Sequence, residues 1–243
     1  MISWFDLALF VVSLLSGATA SMVGFGIGSM VTPLLALRLG ADVAIACVAL
    51  PHALATAVRC WRLRQHIDRA VLWRFGLLSA GGGLAGALVY AGVRAPALTR
   101  VLGALLVLTA VAQLSGWNRR WKPQGASVIL LGLGSGFFGG IAGNQGGLRA
   151  AALSAFALTP LAFVATSTAT GLLVDAARTP VYLYLAGNTM LDLWWPIVVA
   201  SAGVLAGTFL GERVLLGMSR ERFGTIVGAA VGILGAWLFF RAG

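Results

Sequence analysis

Two glycine-rich stretches interrupt otherwise apolar sequence and could bind a small anion. The first stretch covers residues 24–28 and is called the first break; the second covers residues 139–147, and its residues 143–147 are called the second break. The candidate site residues in them are Gly24, Phe25, Gly26, Gly28, Gly143, Asn144, Gln145, Gly146 and Gly147. Glycine lets a ligand approach the backbone closely, and a broken helix exposes N–H donors at the positive end of its dipole. Asn144 and Gln145 would add side-chain donors. Alternatively, the glycines only allow helices to pack tightly.

Two arginines are candidates for binding the anion through their side chains. The planar guanidinium groups of Arg59 and Arg178 match two oxygens of an oxyanion. Arg178 falls inside a predicted span, where a charged group is costly and usually functional, but it could instead pair with Asp175 on the same helix face. Arg59 could instead extend to the basic inner surface. The sequence leaves open whether Arg59 and Arg149 face the site or the interface.

Proton coupling and hydroxyl donors have candidates nearby in the sequence. Imidazole titrates near neutral pH and burial favours a neutral carboxyl group, so His52 and Asp175 could carry a coupling proton. A hydrogen-bonded structural histidine beside Pro51 explains His52 equally well. Thr166 and Ser167 could donate to oxygens of the anion, or bond back to carbonyls of their own helix.

Motifs of metal-dependent, nucleotide-hydrolysing and nucleophilic enzymes do not occur in the sequence. Two histidines and two cysteines follow no metal-binding spacing, and Cys47 and Cys60 are expected to be small buried hydrophobes. A phosphate-binding glycine–lysine loop, a zinc-protease motif and a nucleophile elbow are all missing. We therefore expect a protein that is not an enzyme, with no catalytic residues, no metal and no cofactor.

Composition indicates that lipid is the solvent of this chain. Hydrophobic residues make up 59% of 243 positions and charged residues 10%, whereas a soluble domain carries about 25% charged residues. We predict a single membrane domain covering residues 1–243. The net charge of +10 comes mostly from residues beside apolar segments, where it serves topology and anionic lipids rather than nucleic acid. Positive potential also favours anionic substrates.

Eight apolar segments are predicted, and two are too long for one crossing. They cover residues 6–38, 42–64, 70–93, 98–116, 126–158, 161–186, 192–213 and 221–240. The first and fifth would each be roughly 50 Å long as a straight helix, against a bilayer core of ~30 Å. We therefore predict that each is a broken or re-entrant hairpin that turns at its glycine break.

The distribution of basic residues predicts the topology. Lys and Arg flank the connections after the second, fourth and seventh segments, which places these connections in the cytoplasm. The connection at residues 186–192 has no Lys or Arg and is predicted to lie outside. These assignments agree only if the fifth segment begins and ends on the same side of the membrane. The result is six full crossings, two broken hairpins and both termini outside.

The two halves of the chain resemble each other when the sequence is shifted by 119 positions. The aligned pairs include Gly24 with Gly143, Gly28 with Gly147, and Arg59 with Arg178. We predict an all-α polytopic membrane protein of two inverted-topology repeats, residues 1–118 and 124–243. Each repeat would be a broken hairpin plus three transmembrane helices. Such repeats place a substrate site near the bilayer midplane.

Residues 22–35 resemble the glycine-rich motif, ending in Pro-Leu-Leu, of the sulfite exporter TauE/SafE family. Residues 139–148 are similar to the second copy of this motif, and residues 165–169 fit the small, hydroxyl-rich start of the following helix. The likeness covers nearly the whole chain. It departs from the pattern at residues 151–153, which read Ala-Ala-Leu instead of Pro-Leu-Leu, and at Arg149 in the same arm.

The resemblance implies a bacterial inner-membrane protein that exports, or sometimes takes up, sulfite, organosulfonates or related small anions. The preferred hypothesis is a secondary active exporter with alternating access at a site between the repeats. A permease for a carboxylate or a metal cation, a membrane-embedded enzyme, and a non-transporting scaffold subunit are the alternatives. The expected partners are a small anion and the lipid bilayer. A coupling proton or Na⁺ and a homo-oligomeric state remain open.

Overall fold

The computed structural model describes residues 3–115, 124–144, 146–153, 155–214 and 220–241. Every regular element in these ranges is helical, which confirms the predicted all-α class. The helices are α1 Trp4–Val23, α2 Ile27–Leu39, α3 Ala41–Leu63, α4 Arg69–Tyr90, α5 Ala95–Leu114, α6 Ala126–Ala142, α7 Gly146–Leu153, α8 Pro160–Asp192, α9 Trp194–Val214 and α10 Arg220–Arg241. A short 3₁₀ turn, Arg64–His66, follows α3, and α4 contains a π-helical turn at Leu72–Gly76.

Among the described residues, six helices are long and apolar enough to cross a membrane: α1, α3, α4, α5, α8 and α9. Their surroundings fit this role, because large apolar side chains face outward. On α1, α3 and α8, more than two-thirds of the surface of Trp4, Trp61, Tyr184 and Leu191 is exposed. A soluble protein rarely exposes such a belt of large hydrophobic residues, whereas acyl chains would cover it.

Both long segments are broken where the glycines predicted. In the first segment α1 ends before Gly24, and in the fifth α6 ends before Gly143. Both glycines adopt the left-handed conformation, with φ of 86° and 69°, and their N–H groups donate to the carbonyls of Ala20 and Gly139. This cap favours glycine because an L side chain is strained at positive φ. The two breaks therefore begin with the same backbone geometry.

The largest departure from the predicted boundaries is in α8, which continues through residues 186–192. We had placed an external connection there, and that boundary was wrong. Pro180 removes one backbone hydrogen bond inside this 33-residue helix without ending it. Beyond the proline, Tyr182 is fully buried with its ring edge-on to Tyr90, and Met190 is also buried. Met190 lies in the additional turns, and its burial stabilises them.

Glycines allow the first helix of each predicted half to pack closely on the fourth helix of the other half. The pairs are α1 with α9 and α4 with α6. The contacts that give their directions are Gly203 with Ser13, Gly211 with Ala18, Gly82 with Leu133 and Gly86 with Phe137. Residue numbers rise together along both pairs, so these helices are parallel. Small residues at such crossings let the backbones approach.

The third helices of the two halves, and likewise the fifth helices, pack against each other in opposite directions. The pairs are α3 with α8 and α5 with α10. The contacts that give their directions are His52 with Asp175, Arg59 with Thr168, Gly103 with Phe239 and Gly232 with Ala110. Residue numbers rise along one helix as they fall along the other. The crossing of α3 and α8 lies beside both breaks.

The close packing of α4 on α6 can be tested with two glycines of α6. Gly136 lies directly on the backbone of Ser79 with no room for a methyl group, whereas Gly134 faces open space. We expect Gly136→Ala to destabilise the protein by about 1–3 kcal/mol through overpacking. The matched variant Gly134→Ala should be neutral or stabilising by up to about 1 kcal/mol, because alanine favours helix. Thermal unfolding in detergent measures both, and equal melting temperatures would contradict this packing.

Candidate functional site

The two breaks lie against each other inside the helix bundle. Gly28, in the first turn of α2, packs on the carbonyl of Gly143, and any side chain at position 28 would collide with that oxygen. The amide oxygen of Asn144 accepts a hydrogen bond of 2.9 Å from the Ser29 hydroxyl. Both side chains are buried. Backbone and side-chain groups of the two breaks thus form one contact region.

The N-terminus of α2 opens into this region without a side-chain cap. Gly26 occupies the N-cap position, with a φ of 137°, and makes no side-chain hydrogen bond. The first N–H groups of a helix have no partner within that helix, and together they carry a partial positive charge. The first N–H groups of α2 therefore form a set of backbone donors suited to an anion. Only three residues separate this set from the end of α1.

Across the α3–α8 crossing runs a chain of buried polar side chains. His52 Nδ1 lies 2.6 Å from Asp175 Oδ2. The other carboxylate oxygen of Asp175 accepts from Arg178 Nε at 3.0 Å and lies 2.8 Å from Arg178 Nη2. Arg178 Nη1 donates to the Gly139 carbonyl in the last turn of α6. All three nitrogens of this guanidinium group are therefore bonded, and the ion pair that we considered for Arg178 is present.

Two further buried arginines are less completely bonded. Arg59 donates from Nε to the Thr168 hydroxyl at 2.9 Å. Arg149 donates from Nε to the Ser167 hydroxyl at 3.1 Å and from Nη2 to the Gly24 carbonyl at 3.2 Å. Only 3% of the surface of Arg59 and 2% of that of Arg149 is exposed. Arg59 therefore does not extend to the inner surface, as one interpretation of the sequence had it.

Several buried polar atoms in this region have no hydrogen-bond partner among the described residues. They include Thr32 Oγ1, Arg59 Nη1, Asn144 Nδ2 and Arg149 Nη1. A buried donor without a partner costs about 1–3 kcal/mol, and more when it is charged. Three of these four atoms are nitrogen donors. An anion supplies the acceptors that such donors require.

The charge of this cluster is positive. Beside the breaks and the α3–α8 crossing, the described residues contribute three buried guanidinium groups, those of Arg59, Arg149 and Arg178, and one buried carboxylate, that of Asp175. The described residues contain no group of three His, Cys, Asp or Glu side chains that could hold a metal ion. The arrangement can therefore bind and neutralise a small anion, and it lacks the acidic ligands that a metal cation prefers.

The sequence model of the family described as Sulfite exporter TauE/SafE matches residues 9–238, nearly the whole chain. The chain belongs to the TauE/SafE family. It is a multi-pass membrane transporter of an anion-exporting family and not an enzyme. The comparisons with curated proteins and with solved structures found no match.

In this TauE/SafE protein the hydroxyl groups at the start of α8 bond to other elements rather than to their own helix. Thr166 Oγ1 accepts from the backbone N–H of Asp68 at 2.9 Å, before α4. Ser167 Oγ lies 3.3 Å from the Gly24 carbonyl of the first break and donates to it. Thr166 therefore ties α8 to a connection, whereas Ser167 lies at the contact between the breaks.

The predicted glycines divide into two groups. Gly24, Gly28 and Gly143 lie at the contact between the breaks, and Gly146 packs on the ring of Phe25. In contrast, Gly26 packs against Thr19 of α1, and Gly147 packs against Thr109 of α5. These last two contacts agree with the alternative in which glycine serves close packing. Gln145 lies outside the described residues.

Sequence reasoning missed Arg149 as a member of the TauE/SafE site. In the sequence Arg149 is a departure from the family motif, and whether it faces the site or the interface is left open there. The signal that could have identified it is a charged residue within the apolar arm of a break, because a membrane-embedded charge is costly unless it is used. Ser29 and Tyr182 gave no such signal; Tyr182 donates to the Gly140 carbonyl beside the bond from Arg178.

Proposed function

We propose that this protein is a secondary active exporter of a small sulfur oxyanion, sulfite or an organosulfonate, across a bacterial inner membrane. The observation that carries the proposal is the pair of buried arginines beside two broken helices. Arg59 and Arg149 each retain an Nη1 group with no partner in the described part of the chain. Guanidinium groups in a low-dielectric interior bind oxyanions through charge-assisted hydrogen bonds.

The substrate would bind where the two breaks meet. Backbone donors would come from the starts of α2 and α7, and side-chain donors from Arg59 and Asn144. Ser167 and Arg178 position these groups, since Ser167 bonds to Arg149 and to the first break, and Arg178 bonds to the end of α6. The Nδ2 donor of Asn144 is buried and free among the described residues.

Alternating access would arise from two inverted repeats, residues 1–118 and 124–243. The directions of the helices support this proposal. If the third and fifth helices of the repeats are equivalent, an inverted arrangement requires each pair to be antiparallel, as α3 with α8 and α5 with α10 are. Rocking of one repeat against the other would expose the central site to each side in turn.

Coupling to a proton is proposed for the pair formed by His52 and Asp175. The 2.6 Å contact between them links an imidazole, a side chain able to gain or lose a proton, to the buried carboxylate beside the arginine cluster. A proton gained or lost by this pair would change the charge next to the substrate. Export would then respond to the pH gradient. If Na⁺ were the coupling ion, export would respond to the Na⁺ gradient instead.

Flux of labelled sulfite into proteoliposomes tests the proposed function. We expect sulfite uptake that Arg59→Gln reduces at least about tenfold, since losing one charged hydrogen-bond donor costs about 1.5–3 kcal/mol. The control is Arg69→Gln, which removes an exposed arginine. Lactate uptake without sulfite uptake would instead identify a carboxylate permease. If the protein moves none of the anions tested, transport itself is refuted and a scaffold subunit remains.

A further inference from the structure

Arg149 and Arg59 come from different helices, and their side chains bond to consecutive residues of α8. Arg149 comes from α7 and bonds to Ser167, while Arg59 comes from α3 and bonds to Thr168. Both guanidinium groups are buried. Two like charges are thus kept close together in the interior of the bundle.

The guanidinium group of Arg149 has a fixed orientation. Its Nε bonds to Ser167 and its Nη2 to the Gly24 carbonyl, which leaves Nη1 as the remaining nitrogen. Nη1 points to Gly171 of α8, where a methyl group would lie only 2.8 Å from it. Because glycine has no side chain, Nη1 of Arg149 can lie against α8 at this position.

The carboxylate of this cluster, that of Asp175, is bonded to other side chains. Asp175 bonds to His52 through one oxygen and to Arg178 through the other. Among the described residues, no carboxylate makes a hydrogen bond or ion pair with Arg59 or Arg149. Removing two charges from water costs several kcal/mol for each ion unless a partner compensates. A singly charged ligand would neutralise one of the two guanidinium groups, whereas a doubly charged ligand would neutralise both.

We propose that Arg59 and Arg149 together form a single binding site for a doubly charged sulfur oxyanion, and that Arg149 determines the preference for two charges over one. This inference rests on the proposed function and specifies the charge state of its substrate. The sulfite dianion matches the charge of the two guanidinium groups. Singly charged organosulfonates bind more weakly, because one guanidinium group stays uncompensated.

Sulfite at alkaline pH and methanesulfonate are suitable probes, since both present three oxygens on sulfur. Sulfite then carries two negative charges, whereas methanesulfonate carries one. Equilibrium binding to the purified full-length protein in detergent should favour sulfite at least about tenfold, or 1.4 kcal/mol. Arg149→Met should remove most of this preference by weakening sulfite binding while leaving methanesulfonate binding nearly unchanged. An Arg149→Met protein that keeps the wild-type preference overturns the inference.

Two glycines of α8 provide a matched pair of variants that retain Arg149. Gly171→Ala displaces Nη1 and should also reduce the preference for sulfite. Gly187→Ala, which faces open space, should keep it. This pair decides the question if Arg149→Met does not fold. Liposome flux separates the two levels of the proposal: sulfite transport with equal binding of both probes refutes only the charge preference, and loss of all flux and binding refutes the proposed function as well.

Discussion

Replacing Asp175 with asparagine is expected to lower the free energy of unfolding by about 3–5 kcal/mol, because the substitution breaks a buried ion pair and leaves its partner uncompensated. Asp175 holds both His52 and Arg178 within 3.0 Å. Asparagine keeps the size and removes the charge. Unfolding in detergent measures the loss of stability, and Asp192→Asn at the exposed end of the same helix is the control. Equal stability of the two variants would show that the buried carboxylate is not paired as described.

The same substitution tests the coupling mechanism. If His52 and Asp175 share the coupling proton, Asp175→Asn proteoliposomes should no longer respond to an imposed pH gradient, even where residual exchange of anion persists. Downhill flux with and without the gradient measures this response. A variant whose flux still follows the gradient would assign the coupling proton to another group.

Arg178→Ala is expected to reduce anion flux by at least about 100-fold, or 2.7 kcal/mol, while the protein still inserts into the membrane. Removal of this guanidinium group leaves the Asp175 charge beside the site, where it repels an anion. It also removes the donor that bonds the Gly139 carbonyl at the end of α6, next to the second break. Proteoliposome flux and binding measure the loss, with Arg69→Gln as the exposed control. Wild-type binding of sulfite by Arg178→Ala would exclude this role.

A double variant separates charge pairing from transport. Asp175→Asn combined with Arg178→Gln removes both charges, so it should recover part of the stability that Asp175→Asn loses. It should not recover flux, because the bond to Gly139 and the carboxylate are both changed. A double variant no more stable than Asp175→Asn alone would mean that the two residues do not interact directly.

The positions of the breaks were predictable because glycine acts locally. A cluster of glycines weakens a helix whatever surrounds it, so Gly24 and Gly143 marked the ends of α1 and α6 without any tertiary information. The apolar spans were predictable for a similar reason, since their length must match the bilayer. The end of α8 was not, because tertiary packing of Met190 stabilises the turns beyond the predicted end.

The composition of the site was harder to predict because it depends on which helix face meets which neighbour. The sequence around Arg59 is compatible with a side chain at the interface or in the interior. Only the packing of α3 on α8 distinguishes the two, because there Arg59 Nε donates to the Thr168 hydroxyl. Arg149 looked like a deviation in a motif, yet it connects the arm after the second break to the carbonyl of the first. Such contacts join residues more than a hundred positions apart, and no local pattern in the sequence encodes them.

The exchange of partners between the halves has a consequence for biosynthesis. α1 packs on α9, and the segments that separate them make up most of the polypeptide. The ribosome therefore releases α1 well before its glycine-lined neighbour exists, and lipid or an insertion factor must cover that face meanwhile. Neither half translated alone could complete its own packing, but the two expressed as separate polypeptides should assemble with each other.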